Sequence, residues 1–371
     1  MKSILFISTV YRTGEKVYPV LPALSKKYNI EVLNISQMSP ESPWDGDFDM
    51  RNIFYKMCED NNIRMVHGPG ISEDGDKTRE IYRIFMNGLE ERFKDKAYDL
   101  VIFDNNVTQK RIGLSYIYKW CNKRGIKVVG TPHGNKEFKS YRVVKRMGRM
   151  FDYSFVFGEK EKQGLLKYSK NPEKQKHLLF PAGIPSNDKL KQYKRGNKYI
   201  LVIPNFTEPL PKGITDMFLP LDRKSFDAAG IMSISKDYGY DVLIKEKNHL
   251  FHKPTSFRKS FKNEPSVHFM LDCEDDNQLI ADAAIVISAP STMAFKSIQM
   301  GIPTVLLKKR GAIGNFKDYP GLVNCTEKEV RKEIKNQIRT GKCEKFIKET
   351  LEGGLTFNSI DIHVKHISKL L

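Results

Sequence analysis

Cysteine is scarce and scattered. The five residues Cys58, Cys121, Cys273, Cys325 and Cys343 are odd in number and form no CxxC pair. That excludes a disulfide framework and a cysteine-built zinc site, and it points to a reducing compartment, the cytoplasm. Long apolar runs are missing too, since no stretch approaches the ~20 residues needed to cross a bilayer. The opening MKSILFISTVYRTGEK has a short apolar stretch without a small-residue cleavage site, so a first β-strand is expected rather than a signal peptide. The loop Thr9 to Lys16 is not GxGxxG, so the dinucleotide fingerprint is absent there. His249 and His252, like His363 and His366, have no cysteine or carboxylate cluster beside them, which argues against zinc. The second pair is expected on the face of a terminal helix. No RNP or zinc-finger motif is found. No metal and no required cofactor are expected.

What is present is ample core material and positive charge. Hydrophobic residues make up 40% and aromatics 11% of 371 residues, enough for two folded domains. Lys and Arg number 62 against 44 Asp and Glu, a net charge of +18. Such an excess suits a polyanionic partner: nucleic acid, an anionic membrane face or a phosphate-rich substrate. Residues 134–198 hold 17 basic and 6 acidic residues, more than half of the surplus. Within them Lys136, Lys139, Arg142, Lys145, Arg146 and Arg149 recur mostly every third position, along one side of a helix.

Short apolar runs alternate with amphipathic stretches, the pattern of parallel sheets covered on both faces. Strands are predicted at Ser3–Ser8, Glu31–Ile35, Leu100–Asp104, Lys127–Gly130, Tyr153–Phe157 and Leu178–Phe180. A second series follows at Tyr199–Ile203, Asp241–Lys245, Val267–Met270, Ala284–Ser288 and Thr304–Leu307. Predicted helices include Asp76–Phe93, Gln109–Arg124, Lys224–Asp237, Asp275–Ala283, Ser291–Met300 and an amphipathic tail over Asn358–Leu371. The hydrophilic stretch Asn187 to Lys198 reads as a linker. The expected domains are therefore 1–190, an N-terminal acceptor domain; 198–357, a C-terminal nucleotide-donor domain; and 358–371, a terminal helix. Both are α/β and Rossmann-like, facing across a cleft between the carboxyl ends of their strands, where ligands bind in open α/β sheets.

Residues just after strands are the candidates for chemistry. Lys127-Val-Val-Gly-Thr-Pro-His133-Gly134 runs from a strand into a turn, which offers His133 as a base, a phosphate ligand when charged, or a structural loop histidine. Asp104 with Asn105 follows another strand, either as a second base that orients His133 or as a helix cap. Arg12 could line the same cleft. In the second half a buried strand leads to Ser288, and Ser291 with Thr292 opens a helix that stops at Gly301. Its free N–H groups and hydroxyls suit a diphosphate, or Ser291 is a plain N-cap. Lys245, Lys247 and His249 end a neighbouring strand and could converge on the same anion. Pro181 to Asp188 carries a Gly- and Pro-fixed turn.

Together these pieces resemble a GT-B glycosyltransferase, with the CDP-glycerol glycerophosphotransferase and capsule-polysaccharide transferase group as the nearest likeness. They also resemble the non-hydrolysing UDP-GlcNAc 2-epimerases, which share the fold. The resemblance rests on Thr131-Pro132-His133-Gly134 with Lys136, on Gly183-Ile184-Pro185 with Asp188, on Lys245 with His249, and on the segment Asp282 to Pro303. It implies His133 as a proposed base and a diphosphate held at Ser291 and Thr292. Relatives usually carry an acidic, ribose-binding residue on the following helix. Here Phe295, Lys296 and Ser297 occupy that region, and a lysine cannot accept ribose hydroxyl protons. Lys296 is expected to bind phosphate instead.

The expected activity is transfer from a nucleotide-activated donor, a UDP- or CDP-sugar, to a hydroxyl of an anionic acceptor. His133 and Asp104 would be catalytic. Ser288, Ser291, Thr292, Lys245, His249 and Lys296 would hold the nucleotide diphosphate. Arg12, Lys136, Lys139, Arg142 and Arg146 would face the acceptor. A cell-envelope glycan or lipid-linked polymer is the leading acceptor, with peripheral contact at the inner membrane face. The alternatives are a viral DNA glycosyltransferase acting on hydroxymethylated bases, a nucleotide-sugar 2-epimerase, and a nucleic-acid-binding protein on the same scaffold.

Overall fold

Strands that are apolar at every position must be covered on both faces, because side chains alternate between them. In β1 (Ser3–Ser8), Ile4 and Phe6 join one core while Leu5 and Ile7 join the other. The computed structural model describes residues 1–8, 16–35, 46–68, 83, 86–88, 90–91, 93–94, 97–104, 112–132, 151–167, 169–204, 221–246, 256–270, 275–288, 292–308, 321–340 and 342–371. The chain divides into unit 1, residues 1–188 with 349–371, and unit 2, residues 189–348.

In unit 1, β1 is joined by β2 (Asn29–Asn34), β3 (Arg64–His67), β4 (Leu100–Phe103), β5 (Lys127–Gly130), β6 (Tyr153–Val156) and β7 (Leu179–Pro181). Among the described residues they form one parallel sheet in the order β3-β2-β1-β4-β5-β6-β7. The order reverses between β1 and β4, the place where open α/β sheets leave a crevice. One face packs on α1 (Val20–Ser25), α2 (Gly46–Asp60) and α13 (Ser359–Leu370), through Leu21, Leu24, Phe54, Val364 and Ile367. The other face packs on Ile117 and Trp120 of α3 (Ile112–Lys123). Each fully buried side chain of this kind contributes about 1.5–3 kcal/mol. After β6 come α4 (Glu159–Lys167) and α5 (Pro172–Lys176).

Unit 2 repeats the order with β8 (Tyr199–Ile203), β9 (Asp241–Lys245), β10 (Val267–Met270), β11 (Ala283–Ser288), β12 (Thr304–Lys308) and β13 (Leu322–Asn324), arranged β10-β9-β8-β11-β12-β13, again all parallel. Its switch point lies between β8 and β11. The helices are α6 (Arg223–Ala228), α7 (Ile231–Tyr238), α8 (Ser256–Lys259), α9 (Asp276–Ala281), α10 (Thr292–Gln299), α11 (Glu327–Thr340) and α12 (Lys342–Thr350). No helix among the described residues is long and apolar enough to cross a membrane.

Several local expectations differ from the structure. The helix expected over Lys224–Asp237 is two helices, because Gly230 takes φ +66 and a side chain there would collide with Glu327. Residues 187–198, read as a linker, contain the boundary between the two units, and part of the stretch is folded. Pro185–Gln192 is a 3-10 helix with Asn187 and Leu190 buried, and the Tyr193 hydroxyl donates to Asp275 at 2.6 Å. Residues 349–357, expected in the second domain, lie with unit 1, and so does the terminal helix. The helix expected over Asp76–Phe93 lies largely outside the described residues. Strands β3 and β13 went unpredicted: each is a short, half-exposed edge strand without an apolar run.

Candidate functional site

Where the strands of unit 1 end, the buried positions turn from apolar to polar. Ser8 closes β1 and stands opposite Asn34, which closes β2. Ile7 pairs with Phe103 and Phe103 with Gly130, so Ser8, Asp104 and Thr131 follow side by side. The ladder continues through them, with the Asp104 amide donating to Ile7 O at 3.1 Å and the Thr131 amide to Phe103 O at 3.0 Å. All four residues are at most 3% exposed. The Ser8 hydroxyl lies 2.9 Å from the Tyr18 hydroxyl. Thr131 donates to Phe103 O at 2.9 Å, and the Asn34 amide donates to the Tyr55 hydroxyl at 3.1 Å. A row of buried hydrogen-bonding groups thus crosses the switch point, where the fold leaves room for a ligand. Ser8, Asn34 and Thr131 were missed as a row from sequence. Each lies at or beside the end of a separate predicted run, and only the strand order makes them neighbours.

Asp104 therefore sits at the unit 1 switch point, buried. His133, Arg12, Asn105, Lys136, Lys139, Arg142, Lys145, Arg146 and Arg149 lie outside the described residues. Pro132, the last described residue before His133, is buried.

In unit 2 the switch point is closed by Ser288, whose hydroxyl donates to Ile203 O at 3.2 Å, joining β11 to β8. Helix α10 begins at Thr292, just beyond β11, so its amino end belongs to the same edge of the sheet. The amino end of a helix favours an anion. Lys245 ends β9 next to Ile203, with its ammonium 3.6 Å from Asp276 at the start of α9 and its side chain 14% exposed. It is a largely buried, ion-paired cation at the sheet end, not a solvated loop residue. Glu246, next along, is buried as well. Ser291, Lys247 and His249 lie outside the described residues. Lys296 is half-buried on α10, and Phe295 beside it is buried and stacks on Phe346, 5.9 Å between ring centres. Position 295 thus faces the interior, where a carboxylate would lack solvation.

Other titratable groups are built into the frame of unit 1. Burial pushes the Glu161 carboxyl from 4.5 up to about 8, against a hydrogen bond from the Phe157 amide that favours the charged form. His363 is on the terminal helix α13, as expected, on its inward side. It is fully buried against Phe155, and burial drives it from 6.5 down to about 4 while its Nδ1 bonds Ser359 O at 2.8 Å. His366 stacks on Phe180 and is lowered by burial, then by Lys369, Lys365 and Lys162. Asp188 accepts from the amides of Ser359 and Ile360 at 3.0 and 2.7 Å, capping α13 from 171 residues away. Burial raises its pKa, partly offset by those two bonds. Cys58 and Cys121 are pushed up to about 12 and Cys325 to about 11 by burial, so these thiols stay protonated. Among the described residues no three or more His, Cys, Asp or Glu side chains gather as metal ligands do.

No family model matches the chain, and no curated protein matches it. Solved structures do. The chain is similar to the UDP-GlcNAc 2-epimerase of Neisseria meningitidis bound to UDP-GlcNAc, at 16% identity and TM-score 0.67, with all of both chains covered. It is also similar to the UDP-GlcNAc 2-epimerase of Methanocaldococcus jannaschii, at 14% identity and TM-score 0.65, again over all of both chains. A third is Anabaena Alr3699/HepE in complex with UDP and glucose, at 11% identity and TM-score 0.58, covering 100% of this chain and 99% of that one. At these identities the likeness is one of fold. The chain has the two-domain, Rossmann-like GT-B fold, of the kind seen in the UDP-GlcNAc 2-epimerase structures.

Proposed function

We propose that this protein is an enzyme that moves a sugar, or a glycerophosphate-like group, from a nucleotide-activated donor to a hydroxyl of an anionic acceptor. One observation carries the reading. The unit 2 switch point joins a buried hydroxyl, the amino end of α10 and the paired cation Lys245 in a fold whose solved examples include complexes with UDP and UDP-GlcNAc. Unit 2 would grip the diphosphate through Ser288, Ser291, Thr292, Lys245, His249 and Lys296. A leaving diphosphate gains charge, and a helix amino end with cations stabilises it. Unit 1 would supply the base: His133 takes the acceptor proton, and Asp104 orients the imidazole and stabilises its charged form. The basic series Lys136, Lys139, Arg142 and Arg146, with Arg12, would hold the acceptor, an envelope glycan or lipid-linked polymer at the inner membrane face.

A second reading, nucleotide-sugar 2-epimerase, is supported by the likeness of fold to UDP-GlcNAc 2-epimerase structures. The test begins with a thermal-shift screen of UDP, CDP, CMP, GDP and ADP, since a ligand of the native state raises its melting temperature. Each binding nucleotide's sugar is then incubated with the protein alone, with an anionic glycan, and with hydroxymethylated DNA. Sugar transferred only with the glycan supports the leading reading. Conversion of the sugar with no acceptor supports the epimerase, transfer to DNA the viral-type enzyme, and the absence of any binding sinks all three.

A further inference from the structure

The strands of unit 1 all run the same way, so its sheet has two unlike edges. The carboxyl edge carries the buried polar row, and the amino edge carries lysines. Tyr28, just before β2, donates its hydroxyl to Ser368 Oγ at 2.7 Å. Lys127, the first residue of β5, donates its ammonium to Leu370 O at 3.2 Å. These two bonds fix the last turn of α13 beside the strand starts. They also gather Lys26 and Lys27, which lead into Tyr28, with Lys127 and with Lys365 and Lys369 of α13. All five lysines are exposed.

Little opposes that charge. Among the described residues, the side chains of Lys26, Lys27, Lys365 and Lys369 make no ion pair, and Lys127 bonds a neutral carbonyl. The acidic residues at the same edge are engaged. Asp99 accepts from Lys2 at 2.6 Å and from the Ser3 amide at 2.8 Å, and Asp152 accepts from the Val128 amide at 2.8 Å. Asp361 stands in the first turn of α13, at its other end. Cations suit the carboxyl end of a helix, which accounts for Lys365 and Lys369. It does not account for Lys26, Lys27 and Lys127, which come from other elements. Lys365 and Lys369, four apart on one helix face, repel each other unless an anion lies over them.

The charge surrounds apolar surface. Tyr28 and Leu370 are half-buried and pack on the core beneath. Lysine stems beside an aromatic ring and a leucine suit a lipid interface, where the stems lie along apolar surface and the ammonium groups reach the phosphates. Nucleic acid is held more by arginine forks and stacking platforms, and the five cations here are all lysines. We propose that the amino edge of the unit 1 sheet, with the last turn of α13, is a docking surface for an anionic phospholipid bilayer. It lies at the opposite ends of the strands from the polar row, and it stands whether or not the nucleotide-donor reading does.

The full chain is mixed with vesicles of phosphatidylcholine, with vesicles containing phosphatidylglycerol as well, and with duplex DNA at the same salt. Flotation reads the vesicles and fluorescence anisotropy the DNA. The variants are Lys26→Gln with Lys27→Gln, and Lys365→Gln with Lys369→Gln. A control removes equal charge from α11 of unit 2, Lys332→Gln with Lys335→Gln, both exposed. The unaltered chain should bind the anionic vesicles and not the neutral ones. A lysine near such a surface is worth roughly fivefold in binding, so each unit 1 pair should weaken it roughly 25-fold. The control should leave it nearly unchanged. An equal loss in the control would trace binding to net charge and overturn the proposal. So would the absence of binding to anionic vesicles, or unchanged binding in both unit 1 pairs. DNA binding that is lost in those pairs, without vesicle binding, would overturn it in favour of nucleic acid. Melting temperatures confirm that the variants fold, and if one pair does not, the other decides.

Discussion

Asn34, Ser8, Asp104 and Thr131 close four neighbouring strands of unit 1, whereas Met270, Lys245, Ile203, Ser288 and Leu306 stand at the corresponding level in unit 2. One strand order therefore serves two edges of different chemistry. The unit 1 edge is a continuous buried polar row with a carboxyl group at the switch point. The unit 2 edge is mostly apolar at these positions, with the Ser288 hydroxyl and the ion-paired Lys245. The interiors differ likewise. Unit 1 buries groups whose charge burial suppresses, Glu161 and His363, while α10 is backed by the neutral hydroxyls and amide of Ser297, Thr304 and Gln337. Protonation of Glu161 and His363 thus bears on the stability of unit 1, whereas Ser297, Thr304 and Gln337 behind α10 do not titrate.

The sharpest way to break this comparison is His133→Ala. Turnover should drop by about 10²–10⁴, the range for losing a general base, with nucleotide affinity within about twofold of the unaltered protein. A large loss of affinity with little loss of turnover would reverse the roles of the two units. Glu161→Gln comes next. The folded-state pKa of Glu161 is raised, so its contribution is full below about 4.5 and is lost as pH rises toward about 8. The neutral isostere should stabilise unit 1 by a few kcal/mol, on the order of 1.4 per pKa unit, at pH 9 and by almost nothing at pH 4. Urea unfolding followed by tryptophan fluorescence reads this, because Trp44 and Trp120 both precede residue 188.

His363 has the opposite sign. Its folded-state pKa is depressed, so stability is complete above about 6.5 and falls as pH drops toward about 4. The fall should amount to roughly 3 kcal/mol in the unaltered protein and vanish in His363→Phe, within the same fluorescence assay. An acid limb that persists unchanged in the variant would move the cause elsewhere. The smallest effect belongs to Asp188→Ala, which removes the cap of α13 and should cost about 1 kcal/mol with no change in nucleotide affinity. A change in affinity would instead tie that cap to unit 2.

The alternating strands, the two α/β halves and the helix that stops before Gly301 were legible in the residues themselves. Both-face burial writes a local apolar run, and a cap or a glycine writes a local stop, so the amino acids determine them within a few positions. The candidate site was legible only as separate strand ends. That Ser8, Asp104 and Thr131 stand in one row, that Asp188 caps a helix 171 residues on, that Phe295 turns inward onto Phe346 and that His363 lies in the core were decided by the tertiary structure. The reason is physical. A strand's period and a helix's face are properties of neighbouring residues, but which strand lies beside which is settled by packing over the whole chain, and short edge strands such as β3 and β13 gain their identity only from the partner they pair with.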